Sequence, residues 1–323
     1  NFLLQVFKAL DDFFNSANSV TGDIVLVKDH DTRPGVTPIA WRETRKKSLG
    51  TFRYQFRILT ALELPILFAC QLIRTGNPAP TTTAVTVLLY ILWFVAPAMI
   101  AVHAAGVIAS ERSRQTLDVL LTLPLDGRDI LKQKFAGVRR LIYVLCIPFL
   151  TIYLFQTWWS TDPRQTYLVL SLLQMLVYLN LAAWLSMWIG LKFKSHLRAI
   201  TVSLLTLAAT AALPIAVRSL VPISNGGLSW LLSAVSPIDA IVRLETWGRG
   251  MVGAPSPVNF SESTAAAQVG ANLLLFAAMW GVCRALCFRR VDRQLGRVGT
   301  ESPPPLEQEP VAAEAPGMAT QGA

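Results

Sequence analysis

Six stretches of this chain are too long and too apolar to be folded away inside a protein of this size. They run approximately over residues 58–73, 84–108, 141–159, 166–191, 199–221 and 266–287. Each approaches or exceeds the ~20 apolar residues that a helix needs to cross about 30 Å of hydrocarbon. In lipid every backbone polar group must be satisfied within its own segment, so the predicted fold is a bundle of transmembrane helices. The first stretch is the shortest and carries Glu63 and Pro65; Pro97, Pro148 and Pro214 lie inside others, where membrane helices tolerate them. Trp158, Trp159 and Tyr167 fall at span ends, as interfacial anchors do. The composition agrees. Charged residues make up 15% of the chain and hydrophobic ones 53%, and the mean hydropathy is +0.45, whereas a soluble domain is about a quarter charged.

The connections carry an asymmetric charge. One side of the predicted bundle holds Arg42, Arg45, Lys46, Lys47, Arg53 and Arg57 before the first span. It also holds seven Lys and Arg between Arg112 and Arg140, then Lys192, Lys194 and Arg198 after the fourth span, and five Arg from Arg284 to Arg297. The other side has only Arg74, Arg164, Arg218, Arg243 and Arg249. The positive-inside rule makes the rich side cytoplasmic, and an even number of spans places both termini there. The net charge of +9 thus belongs to the membrane surface, where basic residues meet anionic head groups. No zinc-finger spacing or aromatic–basic motif accompanies it, which argues against a nucleic-acid partner.

Outside the spans, residues 1–14 place Phe2, Leu3, Val6, Phe7, Leu10, Phe13 and Phe14 at helical spacing, an amphipathic helix for a membrane surface or a neighbouring helix. Thr21–Val27 has the pattern of a short strand, and Asp29–Thr37 that of a loop. Pro38 opens a second amphipathic helix with Trp41, Leu49, Phe52 and Phe56 on one face, an interfacial elbow leading to the first span. Within residues 109–140, Ser113, Thr116, Leu117, Leu120 and Leu121 share one face, opposed by Glu111, Gln115, Asp118 and Thr122. Pro124 and Gly127 break that helix, and Ile130, Leu131, Phe135 and Val138 form the apolar face of another. Residues 228–244 are apolar enough to dip into the far membrane edge, with Ser236-Pro237 as a break. Beyond Arg297 the Pro-, Glu- and Ala-rich tail is expected to be disordered.

Chemistry is sparse. Glu63 is the clear acid within a span, where a charge costs ~2.5–3.5 kcal/mol, so it is a candidate gate residue or helix contact. His103 reads as packing, and His30 and His196 lack partners at metal spacing. Cys70, Cys146, Cys283 and Cys287 form no C-x-x-C pair and read as small apolar residues. A polytopic membrane enzyme would need paired groups at bilayer depth, yet there is no H-E-x-x-H, no G-x-S-x-G and no pair of intramembrane aspartates. A secondary transporter would show an inverted repeat with broken helices, and none is evident. A non-transporting membrane anchor is the remaining alternative. No G-x-x-x-x-G-K-[ST] occurs, so the chain supplies no phosphate-cradling loop. It begins at Asn1 without a signal peptide, which suggests numbering from inside a longer reading frame.

The run from Ser110 to Pro124, SERSRQTLDVLLTLP, resembles the cytoplasmic segment of ABC type-2 transporter permeases, E-x4-T-[LF]-[DE]-x-L-L-x-x-P. Ile130, Leu131 and Lys134 fit the isoleucine-rich, lysine-ending helix that follows it in that family. Pro38 to Glu43 resembles the opening before the first span, and Ser236-Pro237 the short stretch before the last. Gln115 and Gln133 stand where glycine is usual. The resemblance implies an all-α, six-span permease domain over residues 38–290, with an elbow helix and a cytoplasmic coupling helix. A cytoplasmic segment, residues 1–37, would precede it, and a disordered tail, residues 291–323, would follow. It further implies an exporter subunit of the cell (inner) membrane that works beside a second permease half, either an identical chain or an upstream region. ATP and Mg would be bound by a separate ABC ATPase, with no cofactor on this chain. Glu111, Thr116, Leu117, Leu120 and Leu121 would make the contact with that ATPase.

Overall fold

The computed structural model describes Ile39 and residues 52–75, 78–113, 126–159, 165–220, 226–248 and 262–295. Among these residues it is all-α, with no strand. The helices are α1 (Phe52–Thr75), α2 (Pro78–Ser113), α3 (Gly127–Trp159), α4 (Gln165–Lys192), α5 (His196–Leu220), α6 (Gly226–Val235), α7 (Pro237–Gly248) and α8 (Glu262–Leu295). The amphipathic helix of residues 1–14, the strand at Thr21–Val27, nearly all of the elbow and the tail lie outside the described residues.

Five helices, α2, α3, α4, α5 and α8, are long and apolar enough to cross a membrane; in α1 the apolar part is shorter, Ile58–Leu72. With 24 residues, α1 is about 36 Å long at the helical rise. Its predicted weakness as a span is therefore one of polarity, from Glu63 and from Pro65 inside the helix. The outer surface of the bundle is apolar in the manner of a lipid-facing protein: Phe68, Phe94, Tyr143, Leu154, Leu205 and Leu274 are all exposed. A patch of that extent would be untenable in water.

At the centre lies α4, which packs against α2, α3, α5, α7 and α8. Lipid tails are as apolar as leucine, so such packing rests on close van der Waals fit rather than on escape from solvent. Midway along, Trp93 of α2 meets Phe149 of α3 and Tyr178 of α4, at centroid separations of 4.7 and 5.6 Å, and Tyr178 meets Phe276 of α8 at 5.0 Å. Small residues bring α5 in: Ala105 and Ala109 of α2 form a cluster with Ala199.

The connection between α2 and α3 differs from expectation on one side. The second amphipathic piece is no separate surface helix. Residues 128–140 are the opening turns of α3, which runs without a break from Gly127 to Trp159. No proline stands between Arg128 and the apolar segment, and the helix tolerates Gly137, so the charged stripe of the surface turns passes directly into the span.

At the opposite end, α6 and α7 form a short helical hairpin broken at Ser236, as the Ser-Pro pair suggests. Ser236 caps α7 by accepting the Asp239 amide at 3.1 Å, and Pro237 occupies the first helical position, where its missing N–H costs nothing. The break lies deep. Asn272, buried on α8, donates its side-chain amide to the carbonyls of Ala234 (2.6 Å) and Ser236 (3.2 Å), and its oxygen pairs with the Tyr178 hydroxyl halfway along α4. From there α7 climbs about 18 Å at 1.5 Å per residue to the start of α4. There the Tyr167 hydroxyl sits between Gln156 Oε1 (2.5 Å) and Glu245 Oε1 (2.7 Å). The break of the hairpin therefore lies inside the bundle, and its carbonyls are met by the Asn272 amide and the Ala240 N–H, as non-helical backbone buried away from water requires. Asn272→Leu should take the side-chain donor from the Ala234 carbonyl, while the Ser236 carbonyl keeps the Ala240 amide at 3.2 Å, and cost roughly 1–2 kcal/mol, the upper end for interhelical hydrogen bonds in membranes. Unfolding of the detergent-solubilised chain measures this, and an unchanged midpoint would show that the Ala234 carbonyl finds another partner.

Candidate coupling site at the basic end of the bundle

The last turn of α2 and the first turns of α3 converge where residues 114–125 join them. Glu111 points inward from α2 and Lys134 from α3, and their charges meet at 2.8 Å with both side chains almost sealed from the surface. Helical geometry explains the match. Leu131, Lys134 and Val138 share a buried face of α3, and Ala104, Ile108 and Glu111 share one on α2. The ion pair therefore ties the two roots of the connection together. Desolvating two charges is expensive, so such a pair persists only where its geometry is good.

Neighbouring contacts brace it. Arg112 Nη1 donates to the Leu191 carbonyl at 2.7 Å, one of the carbonyls left open where α4 ends. Gln133 Oε1 accepts the Ile39 amide at 3.1 Å, and Ile39 and Ile130 bury each other. Gln133, which departs from the usual glycine, thus holds a residue from ahead of the spans against α3. The first turn of α3 closes through the Asp126 carbonyl, which accepts the amides of Asp129 and Ile130. By contrast, the Lys132–Asp129 pair at 3.1 Å is well exposed and contributes little. Two helix contacts close the end. A Cβ on Gly190 of α4 would lie 2.5 Å from the Ala105 carbonyl oxygen, and one on Gly106 would lie 3.0 Å from His196 Nε2.

Of the predicted coupling residues, Glu111 is placed, and it is buried in this ion pair instead of standing at the surface. Thr116, Leu117, Leu120 and Leu121 lie outside the described residues. Glu63 belongs elsewhere. It accepts a hydrogen bond from the Thr151 hydroxyl at 2.5 Å, joining α1 to α3, and its Oε2 has no hydrogen-bond partner among the described residues. Thr151 and Lys134 are 17 residues apart on α3, about 26 Å along the axis. Two buried groups escaped the sequence reading, Glu245 and Asn272. Each is a lone polar residue at the edge of or inside an apolar run, a signal that marks burial but names no partner.

These features define a multi-pass helical membrane protein, with a basic end where α2, α3 and α4 are locked together beside the connection of residues 114–125. Residues 5–291 match the family model described as "ABC-2 family transporter protein", and the chain belongs to that family. It is a permease subunit of an ABC transporter, a membrane component of a kind that associates with ABC ATPase subunits and is not itself catalytic. No curated protein matches the sequence.

Proposed function

We infer that this chain is the membrane-spanning half of an ABC exporter, with its basic end and both termini on the cytoplasmic side of the cell (inner) membrane. In this reading all six long helices, α1 included, cross the bilayer, and the α6–α7 hairpin enters from outside. ATP, with Mg, is bound and hydrolysed by a separate ATPase subunit, whose surface receives residues 116–121. The observation that carries this reading is the buried Glu111–Lys134 pair. A segment that relays force must be fixed to what it moves, and this one is fixed at both roots, so displacement of its tip becomes rotation of α2 and α3 as rigid bodies. Glu111 then serves as a positioning residue. Thr116, Leu117, Leu120 and Leu121 make the contact.

A second permease half completes the transporter. The helix offered to it is α5, whose apolar window is 11% buried against 56% for α4. Its middle, Ala208 to Ala212, consists of alanine and threonine, the small residues that let membrane helices approach closely.

The test is a double substitution, Leu117→Asp with Leu120→Asp, in the chain co-expressed with its ABC ATPase subunit. Each lost anchor should cost about 2 kcal/mol, roughly thirtyfold in affinity, so that the ATPase no longer co-purifies while the permease still inserts. Undiminished capture of the ATPase by the inserted variant would refute the docking role.

A further inference from the structure

A second surface at the basic end has no part in the coupling connection. Trp184 of α4 stacks on Phe135 of α3, with centroids 4.4 Å apart, and lies 5.3 Å from Phe288 of α8. Cys287 Sγ sits 3.8 Å from the Trp184 carbonyl, which fixes α8 against α4 at this level. Over this aromatic floor stands Arg284, its guanidinium carbon 5.9 Å from the centres of both the Trp184 and Phe288 rings. One turn nearer the basic end, Lys192 Nζ lies 3.5 Å over the ring of Trp188. Gly190 abuts α2, and Trp188, two residues earlier, is displaced from it by about 200° around α4. Trp188 and its lysine thus face away from α2.

Three properties of this surface point to one ligand. Arg284 and Lys192 are exposed, and neither has an acidic partner among the described residues. Each is held by an aromatic face, which leaves its donors free. Gly281, one turn deeper than Arg284 and close to its face of α8, has open space beside it: a Cβ there meets nothing within 4 Å. Two cations above an aromatic band, with a bare stretch of α8 surface at Gly281 beneath, match an anionic head group above an acyl chain.

We propose that Arg284 and Lys192, over the Trp184–Trp188–Phe288 floor and the bare α8 surface at Gly281, bind one anionic phospholipid of the leaflet at the basic end. The cations take the phosphate, and the first methylenes of a chain lie against the surface at Gly281. Bound there, the lipid bridges the ends of α4 and α8 as a third packing element. This site does not depend on the transport reading, since it requires only that the chain lie in a membrane.

The test uses the purified full chain in nanodiscs of phosphatidylglycerol or of phosphatidylcholine with the same acyl chains. Thermal unfolding is followed, and retained lipid is counted by native mass spectrometry. The wild type should melt higher in phosphatidylglycerol and keep one such lipid. Arg284→Gln with Lys192→Gln should abolish that increment and weaken retention about thirtyfold, given the usual worth of each basic residue at an anionic surface. Gly281→Leu should weaken retention with no change of charge, and it stays informative if the charge variant fails to insert. Arg198→Gln, which removes a cation at the same end from α5, should keep the increment. The proposal is overturned if the increment survives the double substitution, if Arg198→Gln removes as much of it, or if Gly281→Leu retains lipid normally. It is equally overturned if inorganic phosphate reproduces the increment in phosphatidylcholine.

Discussion

Glu111→Ala should cost roughly 3–5 kcal/mol of folding free energy, because it takes the Glu111 carboxylate from a Lys134 ammonium that stays buried. The magnitude comes from the desolvated charge that remains more than from the lost attraction. That distinction makes a second variant informative. Replacing both residues with methionine removes the two desolvation costs together, and apolar replacements of buried pairs are commonly neutral or stabilising. The double methionine variant should therefore recover most of the loss in chemical or thermal unfolding of the solubilised chain. Its coupling should still be impaired, since a flexible thioether contact locks α2 to α3 less firmly than a charged hydrogen bond. A stable permease with reduced ATPase response would separate positioning from packing. If Glu111→Ala costs less than about 1 kcal/mol, the pair behaves as a solvated surface bridge and the rigid-root account fails.

Much of this architecture is legible in the sequence because membrane folding leans on a local property, the length of an apolar run. That suffices for α2 to α5 and α8, and the Ser236-Pro237 pair marks the break between α6 and α7. The reading fails where an outcome depends on what a helix continues into. Residues 128–140 have the periodicity of a surface helix, but periodicity does not say that the helix goes on to Trp159. It fails again for buried polar groups, whose partners are remote in sequence. Glu111 reads as a residue of the polar face on its own helical wheel, and only the approach of α3, 23 residues on, buries it in an ion pair. Glu245 and Tyr167, 78 residues apart, and Asn272 and Ser236, 36 apart, carry no mark of each other.

Gly190→Ala is the other large effect, and its sign runs against helix propensity. In an ordinary helix the change would stabilise by up to about 1 kcal/mol. Here the added methyl would sit 2.5 Å from the Ala105 carbonyl oxygen and 3.1 Å from its Cα. These are backbone atoms of α2, bound into a helix and unable to rotate aside, so α2 and α4 must separate along their contact. Overpacking of this kind costs about 1–3 kcal/mol. It should lie near the top of that range, because separation also strains the Arg112 bond to Leu191 and the Ala105–Ala109–Ala199 cluster. Gly281→Ala supplies the contrast. Its methyl meets nothing within 4 Å, so the propensity gain stands alone and the variant should be slightly more stable than wild type. Melting both variants in the same phospholipid-free detergent compares the two signs directly. Equal stabilities would mean that α2 and α4 are not in backbone contact at Gly190. A loss for Gly190→Ala with a gain for Gly281→Ala would locate the tightest helix crossing one residue from the carbonyl that anchors Arg112, so that any force on the coupling segment is delivered to α4 without slack.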